Sequence, residues 1–573
     1  MRHFQRQLLI IGCLITFPIL LVLPQYFSGG VILGPDFLFH YNRFYDTAMQ
    51  IKTGNFNYFI STYGFQQSGR IVNALYGPFF AYFQGLLVLF SKTWYNYQII
   101  SRLVLNLIAS FSMYALLRVS HVRIRLAVLI SCLYLTTFAI LDWTIRQNLT
   151  SWGAAISPFA LIPAFRYAAN HELSVIKLAI SVAILLQVHV LSAVILVIAY
   201  LPFFTYGLLT STTLKKDLIK VAAAIFLFFL LTLNVWTALL AIFHSNNLIL
   251  PFTNHRMYAY SITEIGSYWL FFSVSLLVAI IVLLFVTIKK WHSANPFIKI
   301  CIIEFWTFLI ISSSVFPWYL VTKYKIQMLE IFQFPFRFFV MVTIFTCVLV
   351  GSFLSQAPTP KYRQVCKLVL IITLAAFFQT TGLLTNEYKH WNDCQHPIKK
   401  LNTLVFNSKN DQAIHDSFYS TNLNALLKLV QKKTPDYLPE YQKNVKKTYR
   451  KYAQYIIYPS KRFVKTIIHN KLVITWYANK KSFINVPVVK YAGTKLVFNG
   501  KTLAKKHQQY RLTKIGTPIL SQKIGENKLV VSYTIGKWFL PILFITIFSW
   551  SFCLAFWGLS WLLSAIENAQ ADS

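Results

Sequence analysis

Two adjoining stretches decide how the chain is read: Leu8-Leu-Ile-Ile-Gly-Cys-Leu-Ile-Thr-Phe-Pro-Ile-Leu-Leu-Val-Leu-Pro-Gln-Tyr-Phe27, then Gly34-Pro35-Asp36-Phe37-Leu38-Phe39-His40-Tyr41-Asn42-Arg43. As a helix, the first is long enough to cross bilayer hydrocarbon. It follows Arg2 and Arg6 and could be taken for a secretory leader. Without a small-residue cleavage site, and with further apolar runs downstream, a retained first helix is expected. The second stretch carries Pro35, a natural first residue of a helix because its missing N–H needs no partner there. A helix from Pro35 places Asp36, His40 and Arg43 at i, i+4 and i+7, so a carboxylate, an imidazole and a guanidinium share a face. The opposite face carries Phe37, Phe39, Tyr41 and Phe44, which suits a helix lying in the membrane interface. A polar face that simply meets water is the competing reading.

Composition extends the membrane reading to the whole chain. Of 573 residues 56% are hydrophobic and 17% aromatic, and the mean hydropathy is +0.53, outside the range of ordinary soluble domains. Candidate spans after Leu8–Phe27 cover roughly 74–90, 97–117, 126–141, 151–168, 174–188, 190–209, 218–243, 266–288, 297–316, 334–353, 368–385 and 538–563. Basic short loops at Arg118–Arg125, Arg166–Lys177, Lys215–Lys220, Lys289–Lys299 and Lys361–Lys367 are assigned to the cytoplasm by the positive-inside rule. With both termini inside, thirteen crossings are one too many. Either 74–90 is re-entrant, making 28–96 one outer loop, or it spans and 151–168 does not. The basic loop at 118–125 favours the first choice.

The expected fold is therefore a polytopic α-helical membrane protein of about 12 transmembrane helices, with an extracytoplasmic α+β domain before the last helix. Residues 1–385 form the transmembrane part, 386–536 the outer domain, and 537–573 the final helix with a short cytoplasmic tail. Segment 386–536 holds 27 Lys/Arg against 7 Asp/Glu, or +20 of the chain's net +37. Helical pattern at Asn422–Val430 and Glu440–Tyr455 gives way to extended runs at Lys471–Tyr477, Asn485–Tyr491 and Lys528–Tyr533. Asn499-Gly500 is a hairpin signal, and a small sandwich is expected. So basic a domain outside a cell fits anionic lipid headgroups or phosphate-rich wall polymers; equally, its charge serves solubility. No nucleic-acid recognition motif is present.

The seven cysteines form no disulfide framework, only Cys394 falling clearly outside the spans and their flanks. Phosphate-binding loops, dinucleotide fingerprints, zinc-protease motifs and serine elbows are all missing, which removes ATP-driven pumps and zinc proteases from consideration. Secondary carriers have few short motifs, but they rarely place a large outer domain before a final helix.

Several phrases together carry a resemblance. Gly-Pro-Asp36-x-x-x-His40-x-x-Arg43 follows the first span, and Tyr76-Gly77-Pro78 leads the next apolar run. Asp142-Trp-Thr-Ile-Arg146 precedes a run containing Pro158 and Pro163, and His189-Val-Leu-Ser192 marks a hairpin tip. Ile331-Phe-Gln333-Phe-Pro335-Phe-Arg337 opens a later span, and Thr434-Pro-Asp-Tyr-Leu-Pro439 and Val486–Lys501 lie in the outer segment. The chain resembles GT-C-type bacterial membrane glycosyltransferases. It is similar to the membrane proteins labelled "6-pyruvoyl-tetrahydropterin synthase-related" and to YfhO-type proteins. The synthase label implies no pterin chemistry, since no zinc histidines of that kind are present.

What the resemblance implies is transfer of a sugar from a polyprenyl-phosphate carrier to an anionic cell-envelope polymer, such as teichoic acid, at the outer face of a bacterial cytoplasmic membrane. The partners would be that lipid-linked sugar, the polymer and membrane lipids, with no nucleic acid. Asp36 is the expected general base, with an N-terminal carboxylate favoured by the helix dipole as the alternative. His40 would orient Asp36 or touch phosphate. Arg337 is the leading phosphate ligand, seconded by Arg43 and Arg146, although an arginine at a span end also snorkels. Asp142, His189 and Gln333 complete the substrate-binding set; the last two equally suit hydrogen bonding at a hairpin tip and a helix cap. No cofactor is expected. A divalent cation finds no ligand pair, Asp46 and Asp142 being only candidates for a second acid and position 147 being glutamine. The alternative function is a non-enzymatic lipid or polysaccharide transporter, or an envelope assembly factor.

Overall fold

Helix ends in the chain are set by local chemistry that the sequence shows. Pro78 and Pro296 open helices, while Thr93, Ser174 and Asn295 accept hydrogen bonds from the free amides of Asn96, Lys177 and Ile298. A computed structural model describes residues 2–393, 395–441, 446–503, 510–534 and 536–571; Cys394 and part of the expected helix 440–455 lie outside them. The first half runs α1 (Arg2–Ser28), α2 (Phe37–Thr53), α3 (Val72–Leu75), α4 (Pro78–Ser91), α5 (Trp94–Val119), α6 (Ile124–Tyr134) and α7 (Phe138–Arg146). Then come α8 (Thr150–Asn170), α9 (Val175–Val188), α10 (Val190–Leu209), α11 (Leu214–Ser245), α12 (Val274–Lys290) and α13 (Pro296–Ser312). Short α14 (Trp318–Lys323) and α15 (Gln327–Glu330) lead to α16 (Phe339–Ser355) and the long α17 (Thr359–Asp393).

Among the described residues eight helices are long and apolar enough to cross a membrane, counting α6 with α7 as one. The helix over 74–90 is the 14-residue α4, short for a crossing. α8 keeps Pro158 and Pro163 inside a mostly buried helix packed on α5, α7, α9 and α10. The expected span at 266–288 begins late, because 265–271 forms a 3-10 turn and the helix starts only after Ser273.

α2 departs most from expectation. It begins at Phe37, with Asp36 as its flanking residue and no side-chain cap bond, because the Asp36 carboxylate is paired elsewhere. Nor does it lie in an interface: every residue from Phe37 to Ala48 is buried. Tyr41 stacks on Trp94 at 4.1 Å, and the Thr47 hydroxyl donates to the Ala81 carbonyl at 2.7 Å. Its polar residues bind backbone instead of water. The Asn42 Oδ1 accepts from the Phe65 amide (2.7 Å), and Asp46 Oδ1 accepts from the Tyr63 (2.7 Å) and Gly64 (3.1 Å) amides. This wraps residues 57–73 around the helix.

After α17 the chain forms β1 (Leu404–Phe406), α18 (Asp411–Asp416), α19 (Asn424–Leu429), β2 (Val430–Lys432) and α20 (Thr448–Tyr452). Ile414, Phe418, Leu426 and Val430 belong to the same apolar core as α2, α5 and α16. The Trp94 indole donates to the Leu423 carbonyl at 2.9 Å. Two antiparallel sheets follow. One has the order β3 (Val464–Ile468), β4 (Lys471–Ala478), β10 (Gly525–Tyr533), β6 (Thr494–Phe498), β7 (Lys501–Thr502); the other, β5 (Ser482–Asn485), β9 (Pro518–Gln522), β8 (Arg511–Leu512). They close on a separate core of Leu472, Ile474, Trp476, Leu496, Leu520, Leu529 and Val531, and the Trp476 indole donates across it to Gln522 at 3.0 Å. The expected sandwich is thus present, with Asn499-Gly500 at positive φ turning β6 into β7. The run Asn485–Tyr491 is a strand only at its first residue; beyond it the Val486 and Lys490 amides bond the Pro518 and Gly516 carbonyls, and the Val489 amide bonds the Ser68 carbonyl in the first loop. α21 (Phe539–Ala571) returns along α11, where the Trp550 indole donates to the Leu231 carbonyl at 2.8 Å.

Candidate functional site

The start of α2 is fixed against the end of α7 by two residues. A Cβ at Gly34 would overlap the Arg146 backbone, so only glycine allows this approach. Gln147 then latches the loop: its Oε1 accepts from the Gly34 amide at 2.5 Å, and its Nε2 donates to Thr144 (2.9 Å) and Ile32 (3.3 Å) carbonyls. An acidic residue at 147 would lack those two donors.

Asp36 therefore stands beside the Asp142–Arg146 turn, and its partner comes from β2. Lys432 Nζ lies 3.0 Å from Asp36 Oδ1 and donates to the Pro35 carbonyl at 2.6 Å. The Asp36 side chain keeps 48% of its surface exposed, against 16% for Lys432. The ion pair is thus anchored on the lysine side and open on the carboxylate side.

Around it the charges alternate. Arg146 sits 3.8 Å from Asp142 and stacks 3.4 Å over the Trp269 ring. The Asp142 carboxylate, whose Oδ1 is buried with no hydrogen-bond partner, lies in the fields of Arg146, Asp36 and Arg337. Arg337 in turn feels Tyr76, Asp142 and Asp36. Its Nη1 donates to the Phe332 carbonyl (2.9 Å) and to Gln333 Oε1 (3.1 Å), while Nε is buried without a partner. Arg146, Arg337 and Lys432 thus stand among the carboxylates of Asp36, Asp142 and Asp436.

The deeper residues differ in kind. Arg43 is fully buried, 4.9 Å over the Tyr76 ring, with Nε donating to Asn73 Oδ1 at 3.1 Å and both terminal nitrogens lacking an acceptor. Burial lowers its pKa to about 10, against the raising influence of Tyr76 and Tyr437. His40 is buried among Phe39, Phe44 and Trp143. Burial first, then Arg43, Lys432 and His189, hold it well below the usual histidine range, so it is neutral at pH 7. His189 Nδ1 pairs with Ser192 Oγ at 2.8 Å, and burial with Arg337 and Arg43 pushes its pKa down to about 3.

Of the residues expected from the sequence, Asp36, Asp142, Arg146 and Arg337 share one neighbourhood, with Arg43, His40 and His189 packed behind them. His40 makes no side-chain bond to Asp36; only its amide reaches the Asp36 carbonyl, at 3.1 Å. Gln333 is occupied structurally, donating to the Phe252 carbonyl at 2.6 Å while its own carbonyl accepts from Asn254. Asp46 is likewise committed to loop amides. Among the described residues no group of three His, Cys, Asp or Glu side chains is placed to hold a metal ion.

Lys432, Asp436 and Tyr437 were missed. Asp436 and Tyr437 sit inside Thr434-Pro-Asp-Tyr-Leu-Pro439, and buried Arg70 holds this phrase by donating to the Thr434 and Asp436 carbonyls. Tyr437 meets Tyr76 edge-on at 5.8 Å. A cavity of about 440 Å³ lined by Lys433, Tyr449 and Arg450 adjoins the cluster, Tyr449 lying in the fields of Asp436 and Asp36. No family model, curated protein or solved structure matches the chain.

Proposed function

We propose that the chain is a GT-C-type membrane glycosyltransferase of a bacterial cytoplasmic membrane. It moves a sugar from a polyprenyl-phosphate carrier to an anionic envelope polymer outside. In this reading α8, α9, α12 and α13 join the eight longer helices to give about twelve crossings, α4 is re-entrant, and residues 386–536 lie outside. The observation that carries the reading is the convergence on a half-exposed carboxylate, Asp36, of cations delivered by three distant segments: Arg146, Arg337 and Lys432.

Such a transfer needs two things at one place. Asp36 accepts the proton of the acceptor hydroxyl as its oxygen attacks the anomeric carbon. The bond from that carbon to the phosphate oxygen breaks, and the electron pair leaves with polyprenyl phosphate, stabilised by the guanidinium groups and Lys432. His40 and Arg43 act from behind, holding the α2 start and biasing the local field. The cavity by Lys433 and Arg450 suits a polyanionic acceptor.

The test compares wall-polymer sugar content in cells carrying wild type, Asp36→Asn and Arg337→Ala, with protein levels measured alongside. Loss of one sugar in both variants at normal protein levels is expected. An unchanged glycan profile would favour the transporter or assembly-factor reading.

A further inference from the structure

A cavity lies at the end of α8 remote from Arg146. α8 starts next to Arg146 and, at 21 residues, carries the chain roughly 30 Å away from it. There the end of α8 meets the end of α5 and the starts of α9 and α11. Between them lies the molecule's cavity of about 680 Å³, within the size range of ligand pockets. Arg118, Arg166, Lys177 and Lys220 line its rim, one from each of these four helices. Among the described residues the one carboxylate lining it is Glu172, 3.6 Å from Arg166. The floor is apolar, with Ala115, Ile162 and Ile180 contributing.

A cationic rim over an apolar floor, at the ends of long apolar helices, matches a molecule with a phosphate at one end and hydrocarbon at the other. A soluble polyanion would leave the floor wet, and a neutral lipid would leave the rim's excess positive charge, beyond the Arg166–Glu172 pair, unbalanced. We infer that this pocket binds one anionic phospholipid, its phosphodiester on the four-cation rim and the first part of its tails on the apolar floor. Positive-inside placement of the loops 118–125, 166–177 and 215–220 makes it a lipid of the cytoplasmic leaflet. The site stands or falls separately from sugar transfer.

The probe is phosphatidylglycerol against phosphatidylcholine, offered together to the purified full chain in mild detergent and read by native mass spectrometry. Wild type is expected to retain one phosphatidylglycerol. The combined variant Arg166→Gln, Lys177→Gln, Lys220→Gln should bind it about 100-fold more weakly, with its melting curve showing that it is folded. Ala115→Phe, which fills the floor and leaves every charge in place, should also lose the lipid. Arg363→Gln with Lys367→Gln, at a different basic cleft beside α17, should not. Equal retention of phosphatidylcholine, unchanged binding in the triple variant, or an equal loss with Arg363→Gln and Lys367→Gln overturns the proposal. Displacement of the lipid by millimolar glycerol 1-phosphate would overturn it too, in favour of a soluble phosphate ligand.

Discussion

α2 and β4 both mix polar with apolar side chains, yet their polar residues meet opposite fates. In β4, Lys471 and Tyr477 face solvent while Leu472, Ile474 and Trp476 fill the sandwich core, so pattern and burial agree. In α2 the polar side is buried as deeply as the aromatic side, because Asn42, Arg43 and Asp46 are bonded to the loop that encloses them. A polar stripe marks water only when no backbone amide is available to replace it. The sandwich is held chiefly by apolar area; around α2 apolar packing is joined by buried bonds from Asn42, Asp46 and Thr47 to backbone.

The largest expected effect follows from that contrast. Asp46→Ala leaves the Tyr63 and Gly64 amides and the Gln50 side chain without their acceptor, at a cost of about 3 kcal/mol or more. It should open residues 57–73 to protease and lower the melting temperature of the whole bundle. Asp46→Asn, which keeps an acceptor oxygen, should lose less. Next, Leu529→Ala in the fully buried centre of β10 should cost about 2–5 kcal/mol. Hydrogen exchange should show that loss confined to 463–533, with α2 still protected. If both variants loosen both regions equally, the distinction between the two is void.

A smaller, graded effect is expected with pH. His40 and His189 titrate lower folded than unfolded, so the unfolded chain binds more protons below about pH 6.5 and stability falls on acidification. Each contributes about 1 kcal/mol per pH unit there. Asp46, pushed up to about 6 by burial against the lowering effect of its hydrogen bonds, works the other way between its ordinary range and that value. The Asp436 carboxyl, also raised by burial, acts in the same direction as Asp46. His40→Phe removes one of the two histidine contributions and should make the melting temperature fall less steeply between pH 6.5 and 5 than in wild type. The smallest stability change belongs to Lys432→Gln: the Asp36 side is half exposed, so the pair is worth at most about 1 kcal/mol. Activity, by contrast, should drop sharply in that variant.

What could be read from the sequence follows the range of the interactions. The Asn499-Gly500 hairpin, the extended runs 471–477 and 528–533, and the His189 tip are local, and each is legible from a few neighbouring residues; the second strand starts three residues earlier than its run. Asp36, Arg146 and Arg337 were legible as polar residues placed where apolar runs begin or end. Lys432 was not, because it is one of 27 basic residues in its segment and only the tertiary fold sets it beside Asp36. The burial of α2 was hidden for the same reason, since its enclosing partners come from residues 57–73 and 418–430. At Gln147 the sequence shows only a missing charge, whereas the structure uses its amide as a latch that needs one acceptor and two donated hydrogen bonds.

In the proposed reaction Asp36 is the base of a lipid-linked sugar transfer. Purified protein in nanodiscs, given a polyprenyl-phosphate sugar and the wall polymer, allows release of polyprenyl phosphate to be followed directly. Wild type is expected to release it in step with sugar arriving on the polymer, and Asp36→Asn, equally folded, to release it at least about 100-fold more slowly. Release at the wild-type rate from Asp36→Asn, or none from wild type with any lipid-linked sugar offered, would contradict the account.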